Sequence, residues 1–265
     1  MKLKLFIILF FTCFHLFSQK DSIVNFFDNN NKLTTDKTKA KNFEILTKVN
    51  DTLWLSRKYR RNGKLFYYQH YNSLAKTVKI GQSINYNKHG KMIQLSYYNK
   101  EGLLHGKYKS WFDNGNINAE GRLYEGNKEG LFKIYHYNGV LAGKAIFKKD
   151  TIIQEIYYNN NGEITKKEAV IRKKKPSFKG GLKEYRNELK KLKRALNYKI
   201  DGDVYVNFVI DIDGSITDVT VDETIPEKLY IELVDFFEDI KGWSAAIDRG
   251  RKIPFNYTQK INFKL

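Results

Sequence analysis

Val204-Tyr-Val-Asn-Phe-Val-Ile-Asp-Ile-Asp-Gly-Ser-Ile-Thr-Asp-Val-Thr-Val221 decides how the last third of this chain folds. Side chains of a strand alternate between two faces, so Val204, Val206, Phe208, Ile210 and Ile212 all point to one side, toward a core. Asp213-Gly214 reads as a two-residue hairpin loop, because Gly takes up the positive φ of such a loop without a Cβ penalty. In the returning strand Ile216 keeps even parity while Val219 and Val221 are odd. One extra residue restores the apolar face, which predicts a β-bulge near Thr217-Asp218.

Outward from this hairpin the period of the pattern changes. Before it, Leu182, Tyr185, Leu189, Leu192 and Leu196 follow steps of three and four, the stripe of a helix with one apolar face. After it, Thr224-Ile-Pro-Glu227 offers a capping hydroxyl, a Pro in the first turn and a Glu three residues past the cap, so a second helix starts there. Leu229, Leu233, Phe236, Phe237 and Ile240 form its inner face, Lys241-Gly242 ends it, and Trp243 falls in a loop. In the final segment Phe255, Tyr257, Ile261, Phe263 and Leu265 point inward, while Asn256, Thr258, Lys260, Asn262 and Lys264 point outward. The order αββαβ predicts two helices on one face of a three-stranded antiparallel sheet over residues 177–265.

These residues resemble the C-terminal domain of TonB, the envelope energy transducer. The matching pieces are Phe178-Lys-Gly-Gly181, the hairpin from Gly202 to Val219, the helix ending near Trp243, the loop Arg249-Gly-Arg-Lys-Ile-Pro254 and the closing Tyr257-Thr-Gln-Lys-Ile-Asn-Phe263. The family often has Pro where Lys179 and Ala245 stand, and a missing loop Pro costs about 1 kcal/mol or less through unfolded-chain entropy. The resemblance implies binding of an extended segment of an outer-membrane receptor or transporter by strand addition, which needs a free sheet edge. Carried over to this chain, that edge is Tyr257, Thr258, Gln259, Lys260, Ile261 and Asn262. An exposed edge of this kind also allows a weak homodimer.

The middle of the chain repeats itself. Gly63, Gly90, Gly115, Gly139 and Gly162 stand 27, 25, 24 and 23 residues apart, and Gly81, Gly106 and Gly130 each precede one of them by nine residues. Gly106-Lys-Tyr-Lys-Ser-Trp-Phe-Asp-Asn-Gly115 and Gly130-Leu-Phe-Lys-Ile-Tyr-His-Tyr-Asn-Gly139 are the fullest copies, each a short alternating strand closed by an Asn-Gly turn. Hairpins this small bury no face alone, so they must stack into a continuous sheet. Tyr108, Trp111, Phe132, Tyr135, Tyr157 and Tyr158 are its expected core and rim aromatics. The copies resemble the MORN family and its bacterial variants, which implies a scaffold or binding surface without catalytic residues. Phe43 to Leu55 reads as a degenerate hairpin around Asn50-Asp51 that caps the array.

The fold class expected is therefore mostly β: a single-layer hairpin array at 39–165, regular from about residue 58, and then the small α+β module at 177–265. Residues 19–38 read as a loosely ordered lead-in, and 166–176, around Arg172-Lys-Lys-Lys175, as a solvated basic linker. At the start, Met1-Lys-Leu-Lys4 precedes an apolar stretch from Leu5 to Phe17 whose helix would rise about 20 Å, short of the roughly 30 Å hydrocarbon core. Residues 1–18 therefore predict a secretory signal and export, and the resemblance to TonB implies a place in the periplasm, or at the periplasmic face of the outer membrane, of a Gram-negative-type envelope. Cys13, the chain's one cysteine, lies inside it, so the processed chain needs no disulfide.

A net charge of +18 in 265 residues is carried largely by scattered Lys rather than clustered Arg. It suits an anionic envelope polymer or lipid surface, and a nucleic-acid partner is not expected. Asp211-Ile-Asp-Gly214 lacks the third acidic ligand and the Glu of a calcium loop, and His70, His89, His105 and His136 sit in separate repeats without ligand spacing. The sequence shows no phosphate loop, nucleophile elbow or paired carboxylate in a strand-to-helix context, so no enzyme, metal or cofactor is expected. Two functions follow as expectations: an exported protein that engages receptor segments by strand addition in support of transmembrane transport, or an envelope scaffold whose array binds anionic lipid or cell-wall polymer. The small number of Pro and the lack of an extended spacer argue against energy coupling.

Overall fold

The computed structural model describes residues 22–28, 32–171, 173–196, 202–221 and 225–263. The expected signal with Cys13 lies outside them, as do Arg172, Thr224, Lys264 and Leu265.

Thirteen strands form one antiparallel sheet. They are Ser22–Phe27 (β1), Leu33–Thr34 (β2), Asn42–Asn50 (β3), Leu53–Arg60 (β4), Leu65–Tyr71 (β5), Lys79–Tyr86 (β6) and Met92–Tyr98 (β7). Gly106–Trp111 (β8), Ile117–Tyr124 (β9), Asn127–Tyr135 (β10), Leu141–Lys148 (β11), Thr151–Tyr158 (β12) and Ile164–Thr165 (β13) complete it. From β3 to β13 each strand pairs with the next, while β1 inserts between β3 and β2. The loosely ordered lead-in is thus corrected: β1 pairs with β3 over six residues, and the hairpin around Asn50-Asp51 is not the end of the sheet. Ile23, Val24, Phe26 and Phe27 supply the β-branched and aromatic side chains that such pairing uses.

The repeat glycines share one turn geometry. Gly63, Gly90, Gly115, Gly139 and Gly162 have φ between +79° and +90°, and each N–H donates to the carbonyl three residues back. This is a type I turn followed by a left-handed residue, the longer hairpin loop rather than the two-residue one. It explains the preceding Asn as well: Asn62, Asn114 and Asn138 each accept the N–H two residues on through Oδ1. A register slip follows the first four of these turns one residue inside the hairpin, so the distortion repeats with the sequence.

One row of the array is polar and buried. Ser56, Gln69, Ser83 and Ser96 lie opposite one another across β4 to β7. At its N-terminal end Glu44 is fully buried and receives Ser56 Oγ at 2.6 Å and Lys76 Nζ at 2.8 Å. Burial pushes the Glu44 carboxyl up, but the bonds from Lys76 and Ser56 outweigh it and hold the group below its usual range. A depressed carboxylate contributes stability that is complete above its unfolded value and is lost as pH falls through its folded value. Glu44→Gln is therefore expected to cost about 2 kcal/mol at neutral pH and to flatten the loss of stability in acid. Urea unfolding at pH 7 and pH 3 checks this, and equal losses at both values would contradict the ionised pair.

The C-terminal module begins with Lys173–Lys174 (β14), Ser177–Phe178 (β15) and Gly181–Ala195 (α1). Gly202–Ile210 (β16), Ile216–Val221 (β17) and Glu227–Asp239 (α2) follow, then Trp243–Ser244 (β18), Ala246–Asp248 (β19), Arg251–Ile253 (β20) and Phe255–Phe263 (β21). Its sheet runs β17-β16-β21, all antiparallel. One core cluster joins Val204, Val206, Phe208 and Ile210 with Leu229, Leu233 and Phe237 of α2 and Tyr185 and Leu192 of α1. Both helices thus cover the same sheet face, as αββαβ implies.

Several local readings change. Asp213-Gly214 is not a two-residue loop: Gly214 N–H donates to Asp211 O and Asp211 N–H to Ser215 O, the same turn as in the array. The bulge falls where parity placed it, with a register slip opposite Asp218 and a positive φ of +59° at that residue. Leu182 is 60% exposed because the first turn of α1 lies outside the core cluster that Tyr185, Leu192 and Leu196 enter. Trp243 is in a strand, not a loop, paired with Phe178. The basic linker is corrected too: Lys173 and Lys174 pair with Asp248 and Ile247.

Candidate peptide-binding edge

The expected edge residues all lie on β21, the outer strand of the module. It pairs with β16 from Gly202↔Phe263 to Ile210↔Phe255, and its other side has no strand neighbour among the described residues. Tyr257 stacks on Phe208 with centroids 5.3 Å apart, and Ile261 and Phe263 are buried, which fixes the strand's inner face. Thr258, Lys260 and Asn262 are exposed.

The turn at Gly214 determines which backbone groups are free. Asp211 exchanges both of its backbone bonds within that turn, so the odd residues of β16 point their polar groups toward β17. The even residues of β16 then face β21 and meet the odd residues Phe255, Tyr257, Gln259, Ile261 and Phe263. The N–H and C=O groups of Asn256, Thr258, Lys260 and Asn262 are left on the open side. Two of these carbonyls already receive side-chain donors, Lys260 O from Gln259 Nε2 and Asn262 O from Lys193 Nζ.

The even side chains are tied to β16. Thr258 Oγ1 donates to Asn207 Oδ1 at 2.6 Å, and Lys260 Nζ and Asn262 Nδ2 reach Asp203 at 2.7 and 2.8 Å. Bonding from Lys260 and Asn262 holds the Asp203 carboxyl below its usual range. Residues 193–265 match the family model of the Gram-negative bacterial TonB protein C-terminal. The match opens in the last turn of α1 and includes the whole sheet of the module. None of the curated proteins matches the chain. The matched stretch is a little over a quarter of the chain, and within it the likeness is to the C-terminal domain of a Gram-negative envelope protein family associated with transport.

Sequence reasoning located β21 but not the residues that hold it. Asp203, Asn207 and Lys193 carry no motif, and only the register of β16 against β21 brings the first two beneath the edge. The five repeat glycines lie in the array's turns and take no part in this edge. His136 is buried and bonds Tyr158 O, and His89 pairs with Asp218, so neither is poised as a ligand. Among the described residues no three His, Cys, Asp or Glu side chains gather as metal ligands, and no helix is long and apolar enough to cross a membrane.

The module is also fastened to the array. Arg251 is buried and sends Nη1 to Asn118 Oδ1 at 2.7 Å and to Tyr135 O at 2.8 Å, while Nη2 binds Asp248 at 3.0 Å. Burial raises the Asp248 carboxyl, but Arg249 and Arg251 overcome this and keep it ionised below its usual range. Asp218, at the bulge, meets Lys88 and His89 of the array at 2.7 and 3.0 Å.

Proposed function

We propose that this chain is an exported envelope protein that binds an extended segment of an outer-membrane receptor or transporter by adding it as a fourth strand to β21. The observation that carries this reading is the open row of backbone groups at Asn256, Thr258, Lys260 and Asn262 on a strand fixed from below. An added strand gains affinity from main-chain bonds to this row and specificity from alternate side chains. The hairpin array is the rigid support that sets where the edge stands.

Proline distinguishes the two sides of the strand because it removes an N–H. Thr258→Pro and Lys260→Pro delete donors of the open row, whereas Gln259→Pro deletes one from the ladder to β16. The first two variants are expected to fold and to lose at least about tenfold in affinity for N-terminal peptides of outer-membrane receptors, about one net hydrogen bond each. Gln259→Pro is expected to unfold the module. Calorimetric titration with circular dichroism reads both effects, and full peptide binding by Thr258→Pro and Lys260→Pro would sink the proposal.

A further inference from the structure

Two depressions meet along the seam between array and module. One, about 900 Å³, has Lys41 and Arg60 on the array side and Tyr205, Asn207, Asn256 and Thr258 on the module side. The other, about 830 Å³, shares Lys41, Arg60 and Thr220 with the first and adds Arg61. Each falls in the roughly 300–1,000 Å³ range of ligand clefts, and the shared residues make them one groove.

The two walls differ in chemistry. On the array side Lys39, Lys41, Arg60 and Arg61 outnumber the one carboxylate that lines the depression with them, Asp28, and Arg60 Nε is buried without a hydrogen-bond partner. The excess of cations on this wall favours an anionic ligand, which guanidinium and ammonium groups meet through charge-assisted hydrogen bonds. On the module side the open face of the sheet offers amides and hydroxyls from Asn207, Thr220, Asn256 and Thr258 beside the exposed ring of Tyr205, at 44%, and the one carboxylate there, Asp218, is already matched by Lys88 at 2.7 Å. Groups that both donate and accept suit hydroxyls, which do the same. The side chains of this wall stand perpendicular to the sheet, whereas the open N–H and C=O groups of Asn256 and Thr258 point sideways in its plane, so the wall itself offers no main-chain row to a peptide.

We propose that the groove is a binding site for an acidic oligosaccharide. Its carboxylates lie toward Lys41, Arg60 and Arg61, its hydroxyls on the Asn and Thr wall, and a sugar ring packs on Tyr205. The site shares Asn256 and Thr258 with the edge strand, but uses their side chains and not their open backbone groups.

The test is calorimetric titration of the full chain with a galacturonic acid hexamer, a neutral glucose hexamer and hexaglutamate as probes. The acidic sugar is expected to bind saturably, and the neutral sugar and hexaglutamate at least about tenfold more weakly. The exposed pair Lys41→Glu/Arg61→Glu should weaken the acidic sugar about 30-fold, and Arg60→Gln and Tyr205→Ala about tenfold each, with receptor-peptide affinity unchanged. Circular dichroism of each variant establishes that it is folded. No saturable binding at millimolar acidic sugar would overturn the proposal. So would unchanged affinity in the folded Lys41→Glu/Arg61→Glu variant, or hexaglutamate binding as tightly as the sugar.

Discussion

Gly214→Ala is expected to destabilise the C-terminal module by about 4 kcal/mol, well beyond the usual cost of a turn glycine. Gly214 has φ +88°, and a Cβ built there would lie 2.0 Å from Trp243 O and 3.0 Å from its carbonyl carbon. The obstacle is backbone, and it has little room to move: Trp243 pairs with Phe178 and its ring is packed between Phe178 and Tyr185. Gly115 is the internal reference. It shares the turn and has φ +90°, but nothing lies within 4 Å of its added Cβ. Gly115→Ala should therefore cost only the left-handed penalty of about 1–2 kcal/mol. Urea unfolding of both variants measures the difference, and equal costs would contradict the close approach of the β16–β17 turn to Trp243.

Arg251→Ala should have the second large effect, about 3 kcal/mol or more, because it removes a buried guanidinium and strands the half-buried acceptors that it now serves. Asn118 and Tyr135 belong to the array, and Asp248 to the module, so the same change loosens the joint between them. Arg251→Lys should recover little, since an ammonium cannot present a planar fork to three acceptors in two directions. Wild-type chain is expected to unfold in one transition seen alike by probes in β6 and β16. In Arg251→Ala the two probes should separate, and coincident transitions at wild-type stability would show that Arg251 does not couple the parts.

The C-terminal sheet was legible because its signals are local. Parity located the bulge at Asp218, and the alternation from Phe255 to Phe263 gave the faces of β21 correctly. Leu182 was misplaced because a three-four stripe does not reveal where the sheet beneath a helix ends. β1 was missed for a related reason. Ser22–Phe27 is short, lacks the repeat glycines and precedes an Asn-rich run, so only its pairing with β3 reveals it. Asp213-Gly214 was recognised as a turn but assigned the wrong loop length, since both loop types place Gly at positive φ. The groove between array and module was not legible at all: Lys41 and Arg60 stand more than 140 residues from Tyr205 in sequence.

In the proposed complex β21 takes on a fourth strand through its even-numbered residues. Amide hydrogen exchange of the full chain, with and without N-terminal peptides of outer-membrane receptors, tests it residue by residue. Without peptide, Tyr257, Gln259 and Ile261 should exchange slowly and Asn256, Thr258, Lys260 and Asn262 fast. Peptide should slow Thr258 and Lys260 at least about tenfold while leaving the odd residues unchanged. Slowed exchange along β17 instead, or no change at Thr258 and Lys260 at saturating peptide, would contradict strand addition at β21.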